Sequence, residues 1–137
     1  AGWARIGAGD LPANAHAVGA LSHASLFPRV AAAIHHGGAG TTHAALRAGI
    51  PQVIVPHLLD QYYWARRVPA LGVGARAPVI SRLTPSRLAS AIRAALAPGV
   101  AACARMHGAR VRAAGTAGID AAIARIERAA RASLARA

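Results

Sequence analysis

The spacing of hydrophobic positions changes character about two-thirds of the way along the chain. Before Thr84, short apolar runs are separated by Gly-rich breaks. The run His16–Leu21 predicts a short strand and Val30–His35 a better one. His36-Gly37-Gly38-Ala39-Gly40 fits no regular element. Thr41-Thr42 is the expected cap of a helix over Thr42–Arg47, which Gly49 ends. Pro51-Gln-Val-Ile-Val-Pro56 is the clearest strand, β-branched and closed by Pro at both ends. Asp60 then starts a helix that runs to Val68 or Leu71, and Gly72–Ala75 predicts a short strand or turn.

After Thr84 the period becomes helical. Thr84-Pro85 is an N-cap followed by Pro at the first helical position. Leu88, Ile92 and Leu96 form one apolar stripe, and Pro98-Gly99 is expected to end that helix. A further helix is predicted over Val100–Arg112, a break at Gly115–Gly118, and a last helix from Ile119 with Ile119, Ile123 and Ile126 as its stripe. Strands alternating with helices through Gly-rich turns imply an α/β fold. We expect a Rossmann-like parallel sheet with flanking helices, followed by a helical C-terminal tail. Continuous apolar runs fit strands covered on both faces.

Composition narrows the chemistry. The chain has 137 residues, enough for one core but not for two independent domains. It is 55% hydrophobic but only 4% aromatic, so Ala-rich close packing is expected rather than a bulky aromatic core. The four carboxylates, Asp10, Asp60, Asp120 and Glu127, argue against a carboxylate cage for Ca²⁺ or Mg²⁺ and against a two-carboxylate glycoside hydrolase. One cysteine, Cys103, excludes an internal disulfide and a Cys-based zinc site. No metal site and no bound cofactor are expected. The net charge of +12 would suit a polyanion, but all the basic residues are Arg, and they are scattered. With no binding motif and few stacking aromatics, no nucleic-acid partner is expected; a basic nucleic-acid-binding module remains an alternative. No run approaches the ~20 apolar residues of a membrane span and no signal pattern opens the chain, so a cytoplasmic protein is expected. The chain is expected to be a piece of a longer polypeptide.

The informative stretch is Ile34-His35-His36-Gly37-Gly38-Ala39-Gly40-Thr41-Thr42, between a strand and a helix. Its glycines let backbone approach a ligand closely, and the helix that follows offers free N–H groups and the positive end of its dipole. That combination suits a diphosphate, with His36 as donor and Thr41 and Thr42 adding hydroxyls. The competing reading is a plain βα turn with incidental histidines. Asp60 and Gln61 follow the next strand. In a parallel sheet, adjacent strands bring their carboxyl ends together, which would set this pair beside the loop. A carboxylate and an amide recognise sugar hydroxyls; alternatively Asp60 only caps its helix. His16, His35, His43 and His107 lack a partner pattern and read as structural or surface residues.

His36-Gly-Gly-Ala-Gly-Thr-Thr, Gly49-Ile-Pro51 and Pro56-His-Leu-Leu-Asp60-Gln61 together resemble the donor-binding signature of UDP-glycosyltransferases of the GT-B fold. The branch they resemble is bacterial: sterol-glucosyltransferase-like and glycopeptide- or macrolide-type enzymes. Leu26-Phe-Pro-Arg-Val30, Arg66-Arg-Val68, Leu71-Gly-Val-Gly74 and the opening Gly2-Trp3 with Asp10–Asn14 fit the same branch. The resemblance covers roughly residues 1–97. It makes them a donor-binding Rossmann-like domain that lacks its N-terminal part, with 98–137 as C-terminal helices of the same domain.

The resemblance implies an inverting transfer of a hexose from a UDP- or dTDP-sugar to a hydroxyl of a lipid, sterol or secondary-metabolite acceptor. His36 would contact the donor phosphate, Gly37, Gly38, Ala39, Gly40, Thr41 and Thr42 the diphosphate, and Asp60 and Gln61 the hexose. Leu21, Ser22 and His23 fall where such enzymes bind the base, and Trp3 would lie near the nucleotide or else simply belong to the core. Where the branch often has Pro-His-Asp-Trp, this chain has Ser22-His23-Ala24-Ser25, and the ribose-binding Glu of plant-type relatives is Ala44 here. No catalytic residue is assigned. The base is expected in an N-terminal domain of the same polypeptide, against which the last helices would pack, and the acceptor could bring contact with a membrane surface. A nucleotide-sugar epimerase or a cell-wall N-acetylglucosaminyltransferase of the same fold is the alternative.

Overall fold

The computed structural model describes residues 11–134. Trp3 and the rest of the opening motif as far as Asp10 lie outside them. Among the described residues, strands β1 (Ala33–His35), β2 (Gln52–Ile54) and β3 (Gly74–Arg76) form one parallel sheet in the order β1-β2-β3. The register pairs Ala33 with Gln52 and His35 with Ile54, then Gln52 with Gly74 and Ile54 with Arg76. Helices α1 (His23–Leu26), α2 (Ala39–Ala48), α3 (Gln61–Ala70), α4 (Pro85–Ala95), α5 (Pro98–Ala113) and α6 (Ala117–Leu134) complete it. The parallel α/β sheet with flanking helices and a helical tail is the architecture expected from the sequence. None of the described helices is long and apolar enough to cross a membrane.

The strands alternate, and that sets the layers. Val53 and Val55 pack with Ala91 and Ala95 of α4 on one face. Ile54 packs with Val68 of α3 and Ala104 of α5 on the other. Ala33, Ala45, Ile50 and Phe27 join β1 to α2. Small side chains let the layers approach closely. Gly108 of α5 meets the Gly49 backbone at the end of α2, where an added Cβ would lie 2.6 Å from Gly49 Cα. Gly49 is left-handed at φ 77° and its N–H closes α2 on Ala45 and Leu46 carbonyls, as predicted for a C-terminal glycine.

Several boundaries differ from expectation. His16–Leu21 forms no strand; it is exposed and has no ladder partner among the described residues. The α2 cap is Gly38, not Thr41-Thr42, because the chain is already extended at Gly38 (ψ 139°) and turns helical at Ala39. Pro98 does not end α4. It opens α5 at a position that needs no N–H donor. Thr84 caps α4 as predicted, accepting from Arg87 N. The predicted α4 stripe is shifted: Ala91 and Ala95 are the buried pair, while Leu96 is 45% exposed. Only an Ala-wide face fits against β2 and β3. The stripe of α6 exists, yet Ile119, Ile123 and Ile126 are exposed.

Candidate functional site

The site forms where β1 ends. His35 C=O accepts from Val55 N at 2.9 Å, so the first two strands stay paired up to the point where β1 gives way to the loop. Gly37 then adopts φ 97°, a conformation open to Gly but strained for other residues. An added Cβ there would lie 2.6 Å from Ile54 Cγ2, 3.3 Å from Gln61 O and 3.4 Å from Gln61 Cα. The glycine loop therefore rests directly on the first residue of α3. This contact joins the two motifs that the sequence singled out separately.

Beyond Gly37 the loop presents donors. The first-turn amides of Ala39, Gly40 and Thr41 have no acceptor within α2, and the helix dipole points its positive end at the same place. The exposed His36 ring lies over Gly38, whose added Cβ would be 2.7 Å from Nε2. Gly40 has open space around it, so backbone is accessible there. Thr42 departs from its expected role. It is buried, and its hydroxyl donates to Gly38 O at 2.9 Å, so it steadies the first turn rather than facing outward.

The Asp60–Gln61 turn is also built from within. Gln61 Oε1 accepts from His57 N at 2.8 Å and Leu58 N at 3.1 Å, which leaves its Nε2 as the group available to a ligand. Asp60 occupies the N-cap position of α3 without making a side-chain cap bond. Its Oδ2 instead accepts from Trp64 Nε1 at 3.3 Å. His57 donates from Nδ1 to Val55 O at 2.9 Å. Leu59, at φ 53°, is the one described non-Gly residue with positive φ, so the backbone is strained beside the pair.

Leu21 and His23 line a cleft of about 430 Å³ together with His35 and Thr41, which puts part of the base-binding candidate segment beside the loop. Ser22 caps α1, accepting from Ser25 N, and His23 stacks on Phe27 at 4.6 Å. A second cleft, of about 450 Å³, lies on another side of His23 with Arg47 and Arg112, away from the glycine loop.

Sequence reasoning missed His35 and Gln52. Gln52 is fully buried and its Oε1 lies 3.0 Å from His35 Nε2. Gly37 N donates to His35 Nδ1 at 3.1 Å. The available signal was a polar residue inside the apolar run Pro51–Pro56. Burial lowers the His35 pKa below 6.5; the Gln52 hydrogen bond opposes this in part, and His36 and His23 add repulsion. No cluster of three metal-ligating side chains occurs among the described residues.

A three-stranded parallel sheet flanked by helices, with a glycine loop leading into a helix N-terminus, is the architecture found in GT-B glycosyltransferases. The chain belongs to the family described as erythromycin biosynthesis protein CIII-like, C-terminal domain, which matches residues 3–123. It is similar to vancomycin aglycone glucosyltransferase of Amycolatopsis orientalis, 56% identical over 73 residues, covering 53% of this chain and 18% of that protein. It is 53% identical over 81 residues to a sterol 3-beta-glucosyltransferase of Cryptococcus neoformans, covering 59% of this chain and 5% of that one. Its fold matches the crystal structure of the glycosyltransferase VinC in complex with dTDP, with TM-score 0.67 and 40% identity over 77% of this chain and 26% of that chain. The chain thus spans about a quarter or less of the length of these relatives.

Proposed function

We propose that this chain supplies the donor site of an inverting, nucleotide-sugar-dependent glycosyltransferase. The observation that carries the reading is the contact of Gly37 with Gln61, which makes one surface of the diphosphate loop and the sugar-binding turn. The UDP or dTDP diphosphate lies against His36, the Gly37–Gly38 turn and the first-turn amides of Ala39, Gly40 and Thr41. The hexose is held by Asp60 as acceptor and by Gln61 Nε2 as donor. The base lies in the cleft lined by Leu21 and His23, next to Thr41.

The chemistry follows from charge. A base elsewhere in the polypeptide removes the acceptor proton, and the hydroxyl displaces the nucleotide with inversion. Negative charge grows on the leaving diphosphate. The first-turn amides, the α2 dipole and the His36 ring beside Gly38 are the groups that stabilise that charge in this reading. No metal is then required. Residues 1–97 form the donor part and the remaining helices belong with it. The acceptor is a hydroxyl of a sterol, a lipid or a secondary metabolite, bound by an N-terminal domain; the enzyme is cytoplasmic.

The test is calorimetry with UDP and dTDP on the natural polypeptide, without divalent cations. One of them binds, and His36→Ala weakens it by about ten- to a hundredfold, the range for a hydrogen bond to a charged group. Equal affinity in both proteins would remove His36 from the site, and failure of both nucleotides to bind would remove the donor reading.

A further inference from the structure

We propose that His35 is a positioning residue for the glycine loop: its Nδ1 lone pair holds the Gly37 amide while Nε2–H is anchored on buried Gln52, so the loop keeps its form only when the ring is the neutral Nε2–H tautomer. The functional part of this claim rests on the donor reading above.

The protonation pattern follows by exclusion. The Gly37 N–H can only donate, so His35 Nδ1 must offer a lone pair. Nε2 then carries the hydrogen and donates to Gln52 Oε1. Rotating the Gln52 amide by half a turn would bring two N–H donors face to face. The main chain is fixed at this point, because His35 is the last residue of β1 and its carbonyl accepts from Val55 N, and the ring is held at both nitrogens by Gln52 and Gly37.

Gln52 itself argues for the role. Its Nε2 is buried and has no hydrogen-bond partner among the described residues, a costly arrangement. A Leu or Met of similar volume would fill the place without that cost. Packing therefore does not account for an amide at this position, whereas an acceptor for His35 Nε2–H does.

Protonation would put a hydrogen on Nδ1, pointing at the Gly37 N–H, and the clamp would open. The titratable groups that face His35 are His36 in the same loop and His23 on α1; β2 presents Gln52, which is uncharged. Burial and these two imidazoles all favour the neutral ring. Acid is thus expected to release Gly37, and with it the contact between the loop and Gln61.

The experiment combines ring-¹⁵N labelling of histidine, amide hydrogen exchange and UDP and dTDP affinity against pH, all on the natural polypeptide. We expect the Nε2–H tautomer at His35 and a nucleotide affinity that falls as the pH drops below roughly 6.5. His35→Phe weakens nucleotide binding about tenfold, as for one lost orienting hydrogen bond, and unprotects the Gly37 amide. His35→Asn, whose Oδ1 accepts but does not titrate, recovers most of that loss and flattens the acid limb. The opposite tautomer, or a folded His35→Phe protein with wild-type affinity and Gly37 protection, would overturn the proposal. If the wild-type protein binds neither nucleotide, the donor reading fails, while the tautomer and the Gly37 exchange still decide the hydrogen-bond claim.

Discussion

Replacing Gly37 with Ala tests the join between the two halves of the site. The new methyl would sit 2.6 Å from Ile54 Cγ2, and Ile54 cannot yield easily because it is 2% exposed and packed against Val68, Val73 and Ala104. Overpacking of this kind costs about 1–3 kcal/mol. A φ of 97° adds about 1–2 kcal/mol for a residue with a Cβ. The lower entropy of the unfolded Ala chain returns about 0.4–1 kcal/mol. The net loss is about 1–5 kcal/mol, a fall in Tm of roughly 4–20 °C. Gly40→Ala is the matched control, since nothing lies within 4 Å of its added Cβ and Ala is the better helix former. Differential scanning calorimetry should find Gly40→Ala as stable as wild type or more so. If the proposed diphosphate site is right, titration with UDP or dTDP should find both variants weakened: Gly37→Ala because the loop shifts, Gly40→Ala because its methyl would occupy the open space proposed for the diphosphate. A Gly37→Ala protein with wild-type Tm would refute the packing argument. A Gly40→Ala protein with undiminished affinity would refute the close approach of the ligand.

Two further outcomes are expected. Gly108→Ala should destabilise the fold by about 1–2 kcal/mol despite its gain in helix propensity, because the methyl meets Gly49 backbone rather than a movable side chain. Gly99→Ala on the same helix, in open space, should not; equal melting temperatures for the two would show that α5 does not need the close approach. The second concerns acid. The folded-state pKa of His35 lies below 6.5, so between the two values the unfolded chain binds more protons and stability falls as the pH drops through that window. His35→Asn should lose this contribution, measured as a shallower decline of Tm between neutral and mildly acid pH. An unchanged slope would show that His35 makes no such contribution.

The apolar stripe of α6 is present in the sequence but is not buried among the described residues. Ile119, Ile123 and Ile126 line up as helix periodicity requires, yet none of them is buried against the described core. By contrast α5, whose stripe is weaker in sequence, is held through Ala104 and Gly108.

Local chemistry was enough to locate the strand at Pro51–Pro56, the Thr84 cap, the Gly49 terminus and the glycine loop, because each depends on residues adjacent in the chain. The likeness of the motifs to a glycosyltransferase donor site was legible for the same reason: both are short, ordered stretches. Three things required the tertiary structure. Which α4 residues are buried depends on how near the helix comes to β2, and that favoured Ala91 and Ala95 over Leu96. Whether Thr42 and Gln61 are free for a ligand depends on backbone groups that reach them only after the turns close. The His35–Gln52 pair joins neighbouring strands, and no periodicity reveals a hydrogen bond whose partners meet only through strand register.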